Sequence, residues 1–123
     1  MEPGTQEWLD QVEEPPFDPG RAIVDPHHHL WPLGGALAYG VDDLVVDTSS
    51  GHNIVQTVFV ECGASYRSDG PQHLQPVGES EFVATSADDL AVRHPKAAPI
   101  SGIVAHADLA HAEGEYLSQT RGV

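Results

Sequence analysis

The segment Arg21 to Pro32, RAIVDPHHHLWP, sets three consecutive histidines between a short apolar run and a tryptophan. Imidazole is the commonest metal ligand and titrates near neutrality, so such a run can hold an ion or move protons. In an extended chain side chains alternate, which puts His27 and His29 on one face and His28 on the other. The Cα atoms of the outer pair then lie roughly 6.6 Å apart, at about 3.3 Å rise per residue. Both rings can reach one ion through bonds of about 2.0–2.1 Å. Asp25, two residues earlier, could orient or support the pair as an outer carboxylate. The same residues also fit a solvated strand end, or packing positions with satisfied ring nitrogens. Two imidazoles fall short of the three or four ligands that zinc takes. Spacing alone leaves both readings open, and His28 is expected to pack toward helices rather than do chemistry.

Other chemically capable residues end two further apolar runs. Glu61 closes NIVQTVFVEC and faces a ligand or stands as a solvated loop carboxylate. His106 and Asp108 close ISGIVAHAD on a shared face, where Asp108 could equally cap a helix. Tyr66 and Arg67, in GASYRSDG, could contact an acidic substrate or form an exposed loop pair. Cys62 reads as a small buried residue, since no basic partner lies nearby. Glu79 and Glu81 are expected to be solvated or to cap the segment that follows.

The elements that must position these groups repeat one plan. TQEWLDQVEE (Thr5 to Glu14) predicts a helix capped by Thr5, with Trp8, Leu9 and Val12 on one face and Trp8 docked on the body. Pro15, Pro16 and Pro19 end it, so residues 1–20 form a lead-in to one domain over 21–123. Strands are predicted at Ala22 to Asp25, Asn53 to Cys62 and Ile100 to Asp108. Helices are predicted at Val41 to Ser50 and at Ser86 to His94, the latter capped by Ser86 and stopped by Pro95. Another would start near His106 and be interrupted by Gly114. Near-continuous apolar strands predict a sheet covered on both faces. The order β-α-β-α-β-α predicts a right-handed parallel α/β sheet, whose ligands sit beyond the carboxyl ends of the strands.

Bulk properties limit the partners. A length of 123 residues suits one domain, and 19 acidic against 5 basic residues give a net charge of -14. Phosphate backbones and anionic membranes are therefore poor partners. No apolar run is long enough to span a bilayer, and the acidic N-terminus lacks a signal-peptide core. One cysteine fits a reducing compartment, so a cytoplasmic location is expected.

DPHHHLW resembles the first-strand motif Asp-x-His-x-His of the amidohydrolase superfamily, in the spelling of its lactonase-like "amidohydrolase 2" branch. The similarity continues through NIVQTVFVECGASYRSDGPQHLQPVGESEFV and ISGIVAHADL, so it spans about Arg21 to Leu109. The resemblance implies a (β/α)₈ TIM barrel of about 250 residues, here its first three β/α units after a short N-terminal helix. It implies a hydrolase that opens a lactone or a related cyclic ester or amide with activated water. His27 and His29 would hold a divalent metal, most simply zinc. Some lactonases of the branch work without a metal, and there the same histidines would contact the substrate. Glu61, Arg67, His106 and Asp108 are the candidates for substrate contacts. The catalytic aspartate of the family would lie beyond Val123, so the chain is expected to be an N-terminal third that is inactive alone and binds zinc weakly. An inactive remnant or interaction module with the same strands is the alternative. A complete flavodoxin-like domain fits less well, because it wants five strands and no G-x-G-x-x-G turn follows the first one.

Overall fold

β-branched and apolar runs become the strands of a parallel sheet in a computed structural model that describes residues 1–110. The elements follow as α1 (Gln6–Leu9), β1 (Ala22–His28), α2 (Val41–Thr48), β2 (Asn53–Val60), α3 (Val77–Arg93) and β3 (Ile100–Val104). The strands lie in the order β1-β2-β3, and both pairings are parallel. The α/β alternation expected from the sequence is therefore present. Among the described residues no helix is long and apolar enough to cross a membrane.

The core forms on one side of the sheet. Phe59 of β2 packs in one buried cluster with Leu30, with Val41 and Leu44 of α2, and with Val83 and Leu90 of α3. Both crossover helices thus cover the Phe59 face. The opposite face carries Val58 and Val60, registered with Gly102 and Val104. Across β1, Val24 registers with Gln56 on that same side. There Val24 and Val104 each remain 49% exposed. The expectation of a sheet covered on both faces is corrected. Successive crossovers of one hand, joining strands in sequential order, put their helices on one side only.

Two helix boundaries differ from expectation. α1 is a single turn, capped where the Thr5 hydroxyl accepts the Trp8 N–H, and it buries no residue. Trp8 is 44% exposed rather than docked. One turn fixes several backbone dihedrals for very few hydrogen bonds, and without packing nothing extends it. α3 starts at Val77, well before the expected Ser86 cap. Ser86 sits inside the helix, where its hydroxyl donates to the Phe82 carbonyl at 2.9 Å. The buried stripe of α3 includes Ser80 and Glu79 beside Val77, Val83 and Leu90, so polar residues hid its length. The helix ends at Arg93, with His94 as its C-cap and Pro95 next in the chain.

α2 and α3 are tied by charge. Asp42 accepts from His94 Nε2 at 2.7 Å and from Arg93 at 2.8 Å, and Arg93 also forks onto Asp89. The His94 hydrogen bond first, and that of Arg93 second, hold the Asp42 carboxyl below its usual range. Residues 106–110 form coil and turn, and the rest of the helix expected from His106 lies outside the described residues.

Candidate functional site

The carboxyl end of β1 divides its histidines between two environments. Pro26 has no N–H to give the ladder, and the β1–β2 register slips between Asp25 and His28. Asp25 Oδ1 accepts the His27 backbone N–H at 3.0 Å, which fixes the chain across the slip. This contact of Asp25 is with the His27 backbone, not with either outer imidazole. His28 turns inward, as expected. Its Nε2 lies 3.0 Å from the Thr57 hydroxyl, and its ring stands edge-on to Phe59. Burial holds the His28 imidazole below the ordinary histidine range.

His27 and His29 stay on the more open side. Their ring centroids are 5.0 Å apart and the rings are nearly perpendicular, and Trp31 continues the row 5.5 Å from His29. His29 Nδ1 lies 2.8 Å from the Val60 carbonyl oxygen. A carbonyl only accepts, so Nδ1 carries the proton and Nε2 carries the lone pair. The sequence expectation that these two histidines share a face is met.

The ends of β2 and β3 form a second pair. The Glu61 N–H donates to the Val104 carbonyl at 2.9 Å, which aligns the two strand ends. Glu61 Oε2 lies 2.8 Å from His106 Nδ1. A carboxylate only accepts, so this ring too carries its proton on Nδ1. Successive residues at the end of β2 therefore hold one histidine from each neighbouring strand. Val60 holds His29 and Glu61 holds His106.

Beside His106 opens a cleft of about 390 Å³, lined by Tyr66, Gln72, His73, Gln75, Pro76 and Asp108. Asp108 also accepts the Ala110 N–H at 3.0 Å, a contact within its own turn. Arg67 is placed elsewhere. Its guanidinium pairs with Glu81, its N–H donates to the Gln75 carbonyl, and it does not line the cleft. Glu81 thus takes up the Arg67 charge outside the cleft.

Sequence reasoning missed Glu79. Expected to be solvated or to cap the following segment, it stands in the first turn of α3, is only 2% exposed, and its carboxylate accepts the backbone N–H groups of Cys62 and Ala64. Those donors leave the strand just after Glu61 and have no ladder partner, which is the signal that calls for a nearby acceptor. Burial, then the Glu79 charge, push the Cys62 thiol up, so it is a poor nucleophile. The same loop presses on α3 at Gly78. A Cβ there would stand 2.5 Å from the Arg67 nitrogen and 2.6 Å from the Ser65 oxygen.

Among the described residues no three His, Cys, Asp or Glu side chains converge on one ion. No family model, curated protein or solved structure matches the chain.

Proposed function

We propose that this chain is the leading part of an amidohydrolase-type barrel hydrolase that opens a lactone, or a related cyclic ester or amide, with activated water. One observation carries the reading: His27, His29, Glu61 and His106 all sit at the carboxyl ends of sequential parallel strands whose helices share one face. That is where a β/α barrel builds its active site.

The outer histidines fit half of a zinc site. Two imidazoles on one tetrahedral ion, with bonds of about 2.0–2.1 Å, have ring centres roughly 5 Å apart. The centroid separation of 5.0 Å agrees, and the bond from His29 to Val60 presents the correct nitrogen. When bound, the metal would polarise the carbonyl and lower the pKa of a water. His27 and His29 would hold it, while the remaining ligand and the proton-handling aspartate would come from later strands of the barrel. A small molecule is the partner in this reading.

Zinc titration of the full chain, followed by a lactone panel, tests the proposal. Weak zinc binding that is removed by dialysis, and abolished by His27→Ala and by His29→Ala, is expected. Zinc binding unchanged in both variants would refute the site. Sequencing past the Val123 codon should reveal further apolar strands and a late aspartate in one frame, and a real stop with no such frame would overturn the hydrolase. An interaction module is the second reading, favoured by the half-exposed valines of the open sheet face. It predicts self-association that neither histidine substitution changes.

A further inference from the structure

We infer that a second cleft, between the segment after β1, the first turn of α2 and one face of α3, binds a small aromatic amine whose ammonium is held by Asp43. The cleft meets the row of outer histidines only through Trp31, and the inference is independent of the hydrolase reading.

The lining sets the class. The cleft holds about 430 Å³, within the range of roughly 300–1,000 Å³ usual for ligand pockets. Leu30, Val41 and Phe82 give it apolar surface, and Trp31 adds a second aromatic side chain. Trp31 is fixed through its backbone, which pairs with Tyr39 by bonds of 2.9 and 3.4 Å. Tyr39 in turn donates its hydroxyl to Asp47 of α2 at 2.5 Å. Phe82, Ser86, Asp89 and Arg93 come from one face of α3, and Asp42 and Asp43 face them from the start of α2. These polar groups are disposed as acceptors. Arg93 directs its charge onto Asp89 and Asp42, at 2.7 and 2.8 Å. Ser86 donates its hydroxyl hydrogen to the Phe82 carbonyl, so its oxygen is left with acceptor lone pairs. Asp43 gives Oδ2 to the Gly40 N–H at 2.9 Å, and no described residue engages Oδ1. An ammonium carries three donors and no acceptor, the complement of this set. Its charge is attracted by Asp43, where that of a carboxylate would be repelled, and an indole face attracts a cation as well. The apolar floor calls for an organic body under that charge, and Trp31 and Phe82 favour a flat ring.

The test is a ¹H–¹⁵N NMR titration of the full chain with 2-phenylethylamine, 2-phenylethanol and 3-phenylpropanoate, which share a ring and differ in head-group charge. The Trp31 indole N–H should move with the amine, while that of Trp8, outside the cleft, should stay still. The amine should bind roughly fivefold more tightly than the alcohol, the value of about one exposed charge pair, and the carboxylate should bind weakest. Asp43→Asn keeps an oxygen for the Gly40 N–H and should remove that advantage. Glu14→Gln removes the same charge from the lead-in and should not, which separates a contact from the general pull of a chain with net charge -14. Leu33→Ala, at the exposed rim of the cleft, should weaken amine and alcohol alike by roughly threefold and serves if Asp43→Asn does not fold. An alcohol or carboxylate that binds as tightly as the amine, or an amine that leaves Trp31 unmoved, would overturn the inference. So would a preference for the amine that survives Asp43→Asn or is lost in Glu14→Gln, or binding unchanged in Leu33→Ala.

Discussion

Replacing Glu79 tests whether one buried carboxylate organises the turn behind the strand-end site. In Glu79→Ala the backbone N–H groups of Cys62 and Ala64 lose their acceptor, and Ala64 is itself buried. A buried unsatisfied donor costs about 1–3 kcal/mol. With Cys62 only half-buried, the sum is about 3 kcal/mol, taking the low end for Cys62 and the middle for Ala64. At about 3–6 °C per kcal/mol for a domain of this size, the thermal midpoint should fall by roughly 10–20 °C. Glu79→Gln separates acceptor from charge. Oε2 takes both N–H bonds, so a glutamine oxygen in its place keeps them and loses only the charge assistance, about 1 kcal/mol. Urea denaturation followed by tryptophan fluorescence, with circular dichroism melts, measures both variants. If Glu79→Ala costs under about 0.5 kcal/mol, well below one lost donor, the turn does not depend on this carboxylate. If Glu79→Gln costs as much as Glu79→Ala, the charge rather than the acceptor geometry holds the turn. Either result refutes the argument.

Gly78→Ala should destabilise the fold by about 2 kcal/mol or more, because the new Cβ meets backbone atoms that cannot rotate away; a denaturation midpoint within error of the parent chain would contradict this. Stability should also fall in acid through His28. Burial depresses its folded pKa below the ordinary 6.5, so between those two values the unfolded chain holds a proton that the folded chain lacks. The contribution is complete above about pH 6.5 and is lost as pH drops through that window. His28→Gln should flatten the pH dependence of the urea midpoint there, and an unchanged slope would show that His28 does not titrate between the two states.

The strands were readable because Ile54, Val58 and Phe59, and likewise Ile100 and Ile103, leave few conformations other than an extended, covered one. α2 was readable from its acidic first turn and spaced apolar residues. α3 was readable only in its second half. Its first half places Gly78 and Glu79 against the β2–α3 loop, and Gly78, a poor helix former, is helical because of tertiary contacts no local pattern encodes. Trp8 shows the opposite failure, an apolar side chain that suggested docking where the structure leaves it exposed. In the site, alternation was enough to separate His28 from its neighbours. It could not reveal that Glu61 would meet His106, since their contact depends on the register of β2 against β3. The pairing of Arg67 with Glu81 was hidden for a related reason, because Glu81 belongs to the unrecognised half of α3.

Three identical residues in a row look redundant, yet the slip at Pro26 makes the run intolerant of phase. In the observed register one imidazole is inside and two are outside. Moving the chain by one residue in either direction would seat His27 or His29 inward and leave His28 as the only outer ring. Composition and local hydropathy would be unchanged, while a two-donor surface became a one-donor surface. The chemistry of this strand end is therefore encoded in where the chain is pinned, by Asp25 on the His27 N–H and by Val60 on His29, more than in the number of histidines it carries.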